Sequence, residues 1–554
     1  MRILNGEQLL SYDCTKGRRD MVTILEAALE AADPYYNTAD LFRREGDLLY
    51  IGGPEFEAEG DPGTGPEVVD LSKIRHVYVV GAAKGIQRMA RAIEDVLGDV
   101  VTGGHVIGKY GDSVDLRRIG ITLAAHPTPD QNCVEGCQRI LELAKKVTEQ
   151  DLVFTIIGNG GSSLLTCPAE DITINEVRDF TYMMQIEKGI PTIELNVVRN
   201  HIDRLKGGRL TKLFAKAKVI CLDCVDANDF RMRGVRENWQ ILMHENRWLH
   251  NLPDETTFSD ALDIIEKYGV EERTPASIMR HLKKSAPEDE TVHFDEFMTF
   301  GTRMFGLTPL SRDFMIVGKK KAEELGYRAL TLAHVEAVES TQAARIFSSM
   351  IKHTLEINEP FKAPVALFIG EEMVVEVGNS KGVGGRNQEY ALMMASLIDG
   401  WDHVTVGAVD TDGTDGPGGL KLEGAPECLA GGIVDGHTME KARRLKVNVE
   451  QALRTHSTSE ALWKLDCGVW AAQNVSMGDL GVILIDECDY AQGAEKKTKE
   501  EILDEKIGSN GIGGSIGGNC LWVWKPERAD KGRRTGYIRF RKPGGGSSGR
   551  GRRV

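Results

Sequence analysis

Residues 77–97 read VYVVGAAKGIQRMARAIEDVL, which predicts a buried strand, a glycine turn and a helix in immediate succession. Val77 to Val80 form a continuous apolar run, and helical periodicity follows the turn as far as Leu97. Strand-like apolar runs recur at residues 121–125, 152–157 and 218–222, with helical patterns at 133–147 and 260–268. Because strands that alternate with helices usually pair in parallel, we expect an α/β fold with a mostly parallel sheet and helices on both faces.

From about residue 285 the alternation starts again. Strands are predicted at residues 365–369, 373–377, 404–409 and 482–485, and helices at 315–325, 338–355 and 388–397. A polar stretch at 283–291, which contains Pro287, separates the two series. We therefore predict an N-terminal domain over residues 1–290, a C-terminal domain over residues 300–492, and a charged, glycine-rich and finally basic tail over residues 493–554.

The composition limits which partners and which cellular compartment we expect for the protein. The 554 residues carry a formal net charge of -15, which argues against a broad nucleic-acid-binding surface. No apolar stretch approaches the roughly 18 residues of a transmembrane helix, and residues 1–14 lack the pattern of a secretory signal. We expect a cytoplasmic protein with no membrane partner. The oligomeric state stays open, with a homodimer as one alternative, and the tail is either flexible or contacts an acidic partner.

Two cations and a group of aspartates lie in glycine-rich loops near predicted strands. Lys84 lies in the first loop, and Arg386 opens a helix directly after two glycines. Asp410, Asp412 and Asp415 follow a strand of the second series. Free N–H groups at strand ends and helix starts bind phosphate oxygens, cations add charge, and a few carboxylates suit Mg²⁺. One of the aspartates could instead accept a proton from a substrate hydroxyl.

Together these parts predict phosphoryl transfer, which needs positioning, a metal and cations that neutralise the transferred group. Two further segments, residues 158–163 and 194–209, add glycines, hydroxyls and cations. Taken singly, each loop also fits a tight turn, an Asx turn or a solvated loop. The prediction therefore depends on their combination, with a lysine in one domain and an arginine in the other.

The ordered motifs resemble the glycerate 2-kinase family, whose N-terminal region is DUF4147 and whose C-terminal region is known as MOFRL. The resemblance spans about residues 20–490. It is carried by residues 81–84, 126–130, 151–165, 194–201, 206–210, 384–389, 412–417 and 430–436.

The resemblance implies a Rossmann-like N-terminal domain, a smaller MOFRL-like α/β domain, and an active site in the cleft between them. The family reaction is phosphorylation of D-glycerate with ATP and Mg²⁺. Lys84 would match the catalytic lysine and Arg386 the essential arginine; we assign Asp412 to catalysis with them, and Asp223 and Asp415 to the metal. The substrate- and nucleotide-binding residues would be Gly81, Gly160, Gly161, Ser162, Ser163, Asn196, Arg199, His201, Lys206, Gly207, Gly384, Gly385, Asn387 and Asn474.

The chain departs from the family pattern in two ligand loops. In residues 222–229, Asp223 is the better match for a family aspartate and Asp226 is the alternative. The loop around Asn474 lacks the usual threonines. Two alternatives therefore stay open: an inactive homologue that binds a nucleotide or an acid as a regulator, and a hydroxypyruvate reductase, for which the chain has no dinucleotide-binding fingerprint.

Overall fold

In the computed structural model the described residues are 1–11, 15–112, 115–226, 238–473 and 478–487, and they form two six-stranded sheets and one three-stranded sheet. The strands, numbered along the chain, are β1 Phe42–Glu45, β2 Leu48–Ile51, β3 Glu67–Asp70, β4 His76–Ala82, β5 Val101–Lys109, β6 Gly120–Ala124, β7 Asp151–Gly158, β8 Lys218–Asp226, β9 Arg303–Thr308, β10 Arg328–Glu339, β11 Val365–Val374, β12 Val404–Asp410, β13 Gly431–Asp435, β14 Gly468–Val469 and β15 Asp479–Ile485.

The α-helices are α1 Gly6–Leu9, α2 Lys16–Ala31, α3 Pro34–Asp40, α4 Ile86–Leu97, α5 Gln131–Ala144, α6 Gly161–Leu164, α7 Ile174–Thr181, α8 Thr192–His201, α9 Arg209–Phe214, α10 Asn238–His244, α11 Phe258–Lys267, α12 Ala276–Lys284, α13 Phe294–Met298, α14 Phe314–Glu324, α15 Ser340–Ile357, α16 Arg386–Leu397, α17 Thr438–Leu445, α18 Val449–Arg454 and α19 Thr458–Lys464. A π-helical turn, Tyr182–Glu187, follows α7.

The first large sheet is parallel throughout and has the strand order β6-β5-β4-β7-β8-β9. Every residue of the central strand β7 is buried, which explains its nearly continuous apolar sequence. Along β4, Val79 packs with α4 and Val80 packs with α5, because alternate side chains point to opposite faces. The predicted parallel sheet with helices on both faces is therefore confirmed.

The second large sheet is mixed and has the order β10-β11-β15-β12-β13-β14. Only β10 and β11 pair in parallel; the other neighbours are antiparallel. The strands predicted at 365–369 and 373–377 belong to one strand, β11, which ends at Val374 and does not include residues 375–377. Gly370 does not interrupt it, because it pairs with His334 on one side and Leu480 on the other.

Helix α2 belongs by packing to the second sheet, although it lies near the start of the chain. Its apolar side chains Met21, Ile24 and Leu25 share one core with β11, β12, β13 and β15. The contact is close: a Cβ at Gly407 of β12 would lie 2.7 Å from Sδ of Met21, and one at Gly17 would lie 2.4 Å from Oγ1 of Thr405. The first and last parts of the described chain therefore build one hydrophobic core.

The division of the chain at residues 290–300 stays a prediction. Two elements bear on it: β9 completes the first sheet although it begins at Arg303, and α2 packs on the second sheet. The predicted tail, 493–554, lies outside the described residues. Within the described ranges, no helix combines the length and the apolar character that crossing a membrane requires.

Candidate active site

Lys84 lies in the turn between β4 and α4. Its backbone N–H donates to the carbonyl oxygen of Asn159 at 2.9 Å, which ties this turn to the loop after β7. Its Nζ lies 2.5 Å from Oδ2 of Asp412, in the loop that follows β12. Burial disfavours the ammonium, but Asp412 and Asp410 outweigh burial and raise the pKa of Lys84 above its ordinary value. The predicted lysine and the predicted catalytic aspartate thus form an ion pair between loops of the two sheets.

Gly160 lies directly under the side chain of Lys84. Its φ is +87°, and a Cβ there would lie 2.6 Å from Cγ of Lys84 and 3.3 Å from Cδ2 of His126. Glycine alone suits both the left-handed backbone and the close approach. Burial lowers the pKa of His126 to about 3, and Lys84 and Lys109 act in the same direction. The imidazole is therefore neutral at physiological pH.

A second link between the two sheets holds the loop of Asp412. Oδ1 of Asp412 accepts hydrogen bonds from the backbone N–H of Thr414 at 2.6 Å and from its hydroxyl at 2.7 Å. Lys109, the last residue of β5, donates from Nζ to Oγ1 of Thr414 at 3.1 Å. Burial raises the pKa of Asp412, but Lys84 and Lys109 outweigh burial and hold it below its usual range. Asp412 is therefore an anion at neutral pH.

Arg386, the first residue of α16, is held by carboxylates. Its Nε and Nη2 bind the two oxygens of Asp479, and the bond from Nη2 to Oδ1 is 2.9 Å. Nη1 donates to Oε1 of Glu372 at 2.6 Å, and Nη2 lies 3.8 Å from Oδ2 of Asp410. Asp410 and Asp479 face each other across the antiparallel pair β12–β15. A guanidinium is therefore fixed at the end of these two strands.

Asp410 and Glu372 connect the two cations electrostatically. Both carboxylates raise the pKa of Lys84 and of Arg386, so both lie within interaction distance of each cation. Burial raises the pKa of Asp410 itself well above the usual range, and Asp412 and its cross-strand neighbour add to the rise. Lys84 and Arg386 therefore share one acidic region and do not lie on separate surfaces.

Asp415 binds the N-terminus of α16. Its Oδ2 accepts from the backbone N–H of Gln388 at 2.9 Å, and its Oδ1 accepts from the backbone N–H and from Nδ2 of Asn387, both at 3.3 Å. Asn387 Nδ2 also donates to Oδ2 of Asp479 at 2.7 Å. Burial raises the pKa of Asp415 to about 6. As a metal ligand Asp415 would share its oxygens with the helix; its assignment to the metal stays a prediction.

Several predicted glycines occupy points where backbones touch. A Cβ at Gly81 would lie 1.7 Å from the carbonyl oxygen of Ile156, and one at Gly385 would lie 2.3 Å from Cγ of Asp415. These glycines therefore let β4 approach β7, and let the loop before α16 approach the loop of Asp415. An added Cβ would also contact neighbouring atoms at Gly161, Gly207 and Gly384.

Ser162 is the centre of a buried polar network. Its hydroxyl accepts from Nδ2 of Asn196 at 2.9 Å and lies 3.0 Å from Nε2 of His250. Asn196 Oδ1 accepts from Nη1 of Arg199 at 3.2 Å, and Oε1 of Gln185 accepts from Nη2 at 3.0 Å. Burial alone lowers the pKa of Arg199 to about 9. Three predicted binding residues are thus joined in one chain of hydrogen bonds.

The side chains of three other predicted binding residues point into the protein interior. The ring of His201 lies 2.6 Å from a backbone carbonyl at Nδ1 and 2.8 Å from Oε1 of Glu290 at Nε2. Lys206 pairs through Nζ with Oδ2 of Asp203 at 2.7 Å, and Ser163 Oγ donates to a backbone carbonyl at 3.3 Å. In the described part of the chain, no hydrogen bond or ion pair joins these three to Lys84 or Asp412.

Asp223, near the end of β8, is fully buried, and among the described residues neither of its carboxylate oxygens has a hydrogen-bond partner. Burial raises its pKa to about 8, and the neighbouring amide of Asn251 offsets only a small part. The side chain of Asp226 and all of Asn474 lie outside the described residues. Among the described residues, no cluster of three or more His, Cys, Asp or Glu side chains has the geometry of a metal site.

A cavity of about 460 Å³ opens beside the π-helical turn 182–187. Its lining includes Tyr182, Met183 and Arg273, together with Thr128, which follows His126 by two positions. None of the predicted site residues lines this cavity. The chemistry suggested by Lys84 and Arg386 therefore lies elsewhere.

Sequence reasoning left four functional candidates unassigned: His126, Lys109, Asp479 and His250. The only available signal for His126 was its place in the motif 126–130, which the resemblance uses without giving it a role. Asp479 is a single acidic residue ahead of an apolar strand, and only the β12–β15 pairing places it at Arg386. His250 follows the unmatched stretch after Asp223, where no pattern pointed to it.

Comparison with known proteins matches both halves of the chain. The model for DUF4147, a domain of unknown function, matches residues 20–229, and the MOFRL family model matches residues 365–474. Glycerate 2-kinase of Pyrococcus horikoshii is 31% identical over 448 residues, 79% of this chain and 90% of the relative. D-glycerate 2-kinase of Thermotoga maritima is 32% identical over 399 residues, 72% of this chain and 88% of the relative. The crystal structure of glycerate kinase from Thermotoga maritima superimposes with a TM-score of 0.62 at 28% identity, and the match covers 84% of this chain and 99% of that one.

Proposed function

The chain belongs to the glycerate 2-kinase family, and from that premise we propose that it transfers the terminal phosphoryl group of ATP to a hydroxyl of D-glycerate or a related small hydroxy acid. The class of reaction is proposed from the similarity to glycerate 2-kinases, and the role of each residue is proposed from the contacts of this chain. We place the reaction between the loops of the two large sheets, where Lys84 and Asp412 meet.

One observation carries this proposal: two partly buried cations from different sheets share the same acidic neighbours. Lys84 pairs with Asp412, and Arg386 pairs with Asp479. Both cations interact with Asp410 and with Glu372. Phosphoryl transfer concentrates negative charge on the transferred group, and cations that surround it lower the barrier. A triphosphate end would take the place that carboxylates occupy beside these cations.

Lys84 and Arg386 have different geometry and therefore different tasks. The ammonium of Lys84 is a point charge on a stem that Gly160 and His126 confine, so it can follow a moving phosphoryl oxygen only over a short distance. Arg386 presents a planar fork whose bidentate partner is Asp479. We propose that Arg386 orients the phosphate chain and that Lys84 stabilises the transferred group.

We propose that Asp412 accepts the proton of the acceptor hydroxyl. Its Oδ1 is fixed by two bonds from Thr414, while its Oδ2 contacts only Lys84 among the hydrogen bonds and ion pairs of the described residues. When a phosphate oxygen replaces Oδ2 at the ammonium, Oδ2 is left facing the site as an anion. The hydroxyl oxygen then attacks phosphorus as its proton passes to Oδ2, and ADP departs with the electrons of the broken bond.

We propose that Asp223 would hold a magnesium ion whose other ligands are mostly phosphate and water oxygens. In the part of the chain that the structure describes, the two buried carboxylate oxygens of Asp223 have no hydrogen-bond partner, and burial raises its pKa, so a cation or a proton must balance it. Bound magnesium would neutralise phosphate charge and align the phosphate chain. We propose Asp223 as the first ligand of the ion. Asp415 is the second proposed ligand, and its freedom is smaller because its oxygens already bind the N-terminus of α16.

The remaining predicted residues are assigned as walls of the same site. Gly81 lets β4 approach β7, Gly160 lies against Lys84, and Gly385 lies against Asp415; we propose that backbone N–H groups of these loops contact phosphate oxygens. Ser162, Asn196 and Arg199 form the opposite, polar side. His201, Lys206 and Gly207 contact the protein interior and are proposed to support α8 and α9 rather than to touch ligand.

The test is ADP release from Mg-ATP by the full chain with a panel of small hydroxy acids, D-glycerate first. We expect acid-dependent turnover that falls about 10²–10³-fold in Lys84→Met and in Arg386→Met, because each removes a charge aimed at the transferred group. Lys212→Met is the matched control, since Lys212 is exposed and pairs with exposed Glu296 at 2.8 Å. ³¹P NMR of the product identifies the phosphorylated hydroxyl.

Two outcomes would contradict the proposal. ATP binding without turnover across the panel would identify a regulator that retains the ligand site. NADH oxidation with hydroxypyruvate, unaffected by Lys84→Met, would identify a reductase.

A further inference from the structure

Arg199 is a buried cation for which the described protein supplies no anion. The residue is 4% exposed, and the acceptors of its guanidinium hydrogen bonds are two neutral amide oxygens, those of Asn196 and Gln185. No carboxylate of the described residues shifts the pKa of Arg199, which burial alone lowers. A buried charge without a partner costs several kcal/mol, so the arrangement calls for a ligand.

Arg18, which is buried, and Arg209, which is half-buried, have acidic neighbours. Arg18 donates from Nε to Oδ2 of Asp435 at 2.8 Å. Arg209 donates to three backbone carbonyl oxygens, and four carboxylates raise its pKa against the effect of burial. Arg199 therefore differs from these two arginines in that no carboxylate of the described residues lies beside it.

The surroundings of Arg199 face the candidate active site. Burial lowers the pKa of His126, and Lys84 and Arg199 are both among the charges that lower it further, so the imidazole lies within interaction distance of both cations. His126 is also in van der Waals range of the Cβ position of Gly160, next to the stem of Lys84. The hydroxyl of Ser162, two positions on, belongs to the hydrogen-bonded network of Arg199.

We propose that Arg199, with Ser162 and Asn196, binds the carboxylate of the acceptor acid and thereby selects hydroxy acids over neutral polyols. The inference rests on the proposed function for the identity of the acceptor. A carboxylate suits the planar fork of an arginine, and one negative charge matches one unbalanced cation. The acceptor hydroxyl then lies on the side of His126 and Lys84, where the phosphoryl group arrives.

Gln185 gives the subsite its second constraint. It lies in the π-helical turn Tyr182–Glu187, and its Oε1 holds Nη2 of Arg199. A π-helical turn inserts an extra residue into a helix and occurs often at functional sites. Here the turn carries the amide that binds the guanidinium. Gln185 is thus a positioning residue, and Arg199 is the residue that touches the carboxylate.

The experiment compares wild type with Arg199→Gln and Arg199→Lys, in full-length protein, for turnover and for direct binding of D-glycerate by calorimetry without nucleotide. We expect Arg199→Gln to weaken D-glycerate binding and raise its KM about ten- to hundredfold, since a hydrogen bond to a charged group is lost. KM for ATP should stay within about twofold. Arg199→Lys should recover part of the loss, and Arg178→Gln, which removes an exposed arginine paired with Asp179, should behave as wild type.

A second readout separates a binding role from a structural one. Wild type should discriminate against glycerol, which lacks the carboxylate, far more strongly than Arg199→Gln does. D-glycerate should raise the thermal midpoint of wild type but not that of the variant, and without acid the variant should be at least as stable, because it removes an unpaired buried charge.

The outcomes distinguish the two proposals. If wild type phosphorylates D-glycerate and Arg199→Gln binds it equally well, the subsite is wrong and the kinase stands. If the variant loses ATP affinity instead, Arg199 binds a phosphate and the subsite is also wrong. If wild type binds D-glycerate through Arg199 but transfers no phosphate, the kinase is wrong and the subsite stands.

Discussion

Replacing Gly160 by alanine tests the role of Lys84 without touching its charge. The new Cβ would lie 2.6 Å from Cγ of Lys84, whereas unstrained carbon contacts begin at about 3.5 Å. The lysine stem must therefore move by roughly 0.9 Å, and a displacement of about 1 Å at a catalytic group can cost about 10² in rate. We expect kcat for D-glycerate phosphorylation, measured by ADP release, to fall about hundredfold in Gly160→Ala.

Gly60→Ala is the control for backbone strain. Gly60 has φ +84°, close to the +87° of Gly160, but no atom lies within 4 Å of its Cβ position. Both variants should lose about 1–2 kcal/mol of stability through a left-handed alanine, and only Gly160→Ala should lose activity. If both keep kcat within about threefold of wild type while unfolding at similar urea concentrations, the close packing of Lys84 on Gly160 has no part in catalysis.

Two further outcomes follow from buried charges. Arg18→Met should destabilise the protein by about 3–5 kcal/mol in urea unfolding, because it leaves Asp435 buried at 6% exposure without its partner; a loss below about 1 kcal/mol would contradict this. Asp223→Asn should stabilise the protein in EDTA by roughly 1–3 kcal/mol at pH 8 and above. Burial raises the folded pKa of Asp223 from 3.8 to about 8, so the gain is absent below pH 4, grows from pH 4 to 8 as the unfolded carboxyl ionises, and is complete above pH 8. A gain that is equal at pH 4 and pH 8 would refute the buried, unpaired carboxyl, and added Mg²⁺ should stabilise wild type only.

The sequence predicted β4, β6, β7 and β8 of the first sheet because their signals are local, but it did not predict β5 or β9. Strands β4 and β7 are apolar runs followed directly by glycine-rich loops, so the order of residues along the chain is enough to place Lys84 and the loop 158–163 at strand ends. The second sheet was harder to predict from the sequence. Strand β11 contains Gly370 and two glutamates, and only its pairing on both sides shows that it is one strand.

Side-chain partners were the least predictable part of the site. Lys206 and Arg199 lie in the same polar stretch and looked alike, yet Asp203 pairs with the first and no carboxylate of the described residues pairs with the second. Asp412 and Asp415 are three residues apart, but one contacts a lysine of the other sheet and the other binds a helix N-terminus. Such differences depend on which buried groups meet in three dimensions, and spacing along the chain does not encode them.

The packing of α2 on the second sheet has a consequence for synthesis on the ribosome. Its apolar face emerges early, but β12, β13 and β15, which cover that face, are made about 400 residues later. Because the chain is synthesised at about 5–20 residues per second, these strands follow the helix after roughly 20–80 s. During that interval Met21, Ile24 and Leu25 are an exposed hydrophobic segment, and a chaperone that shields such segments would act on the first thirty residues while the parallel sheet is already folding.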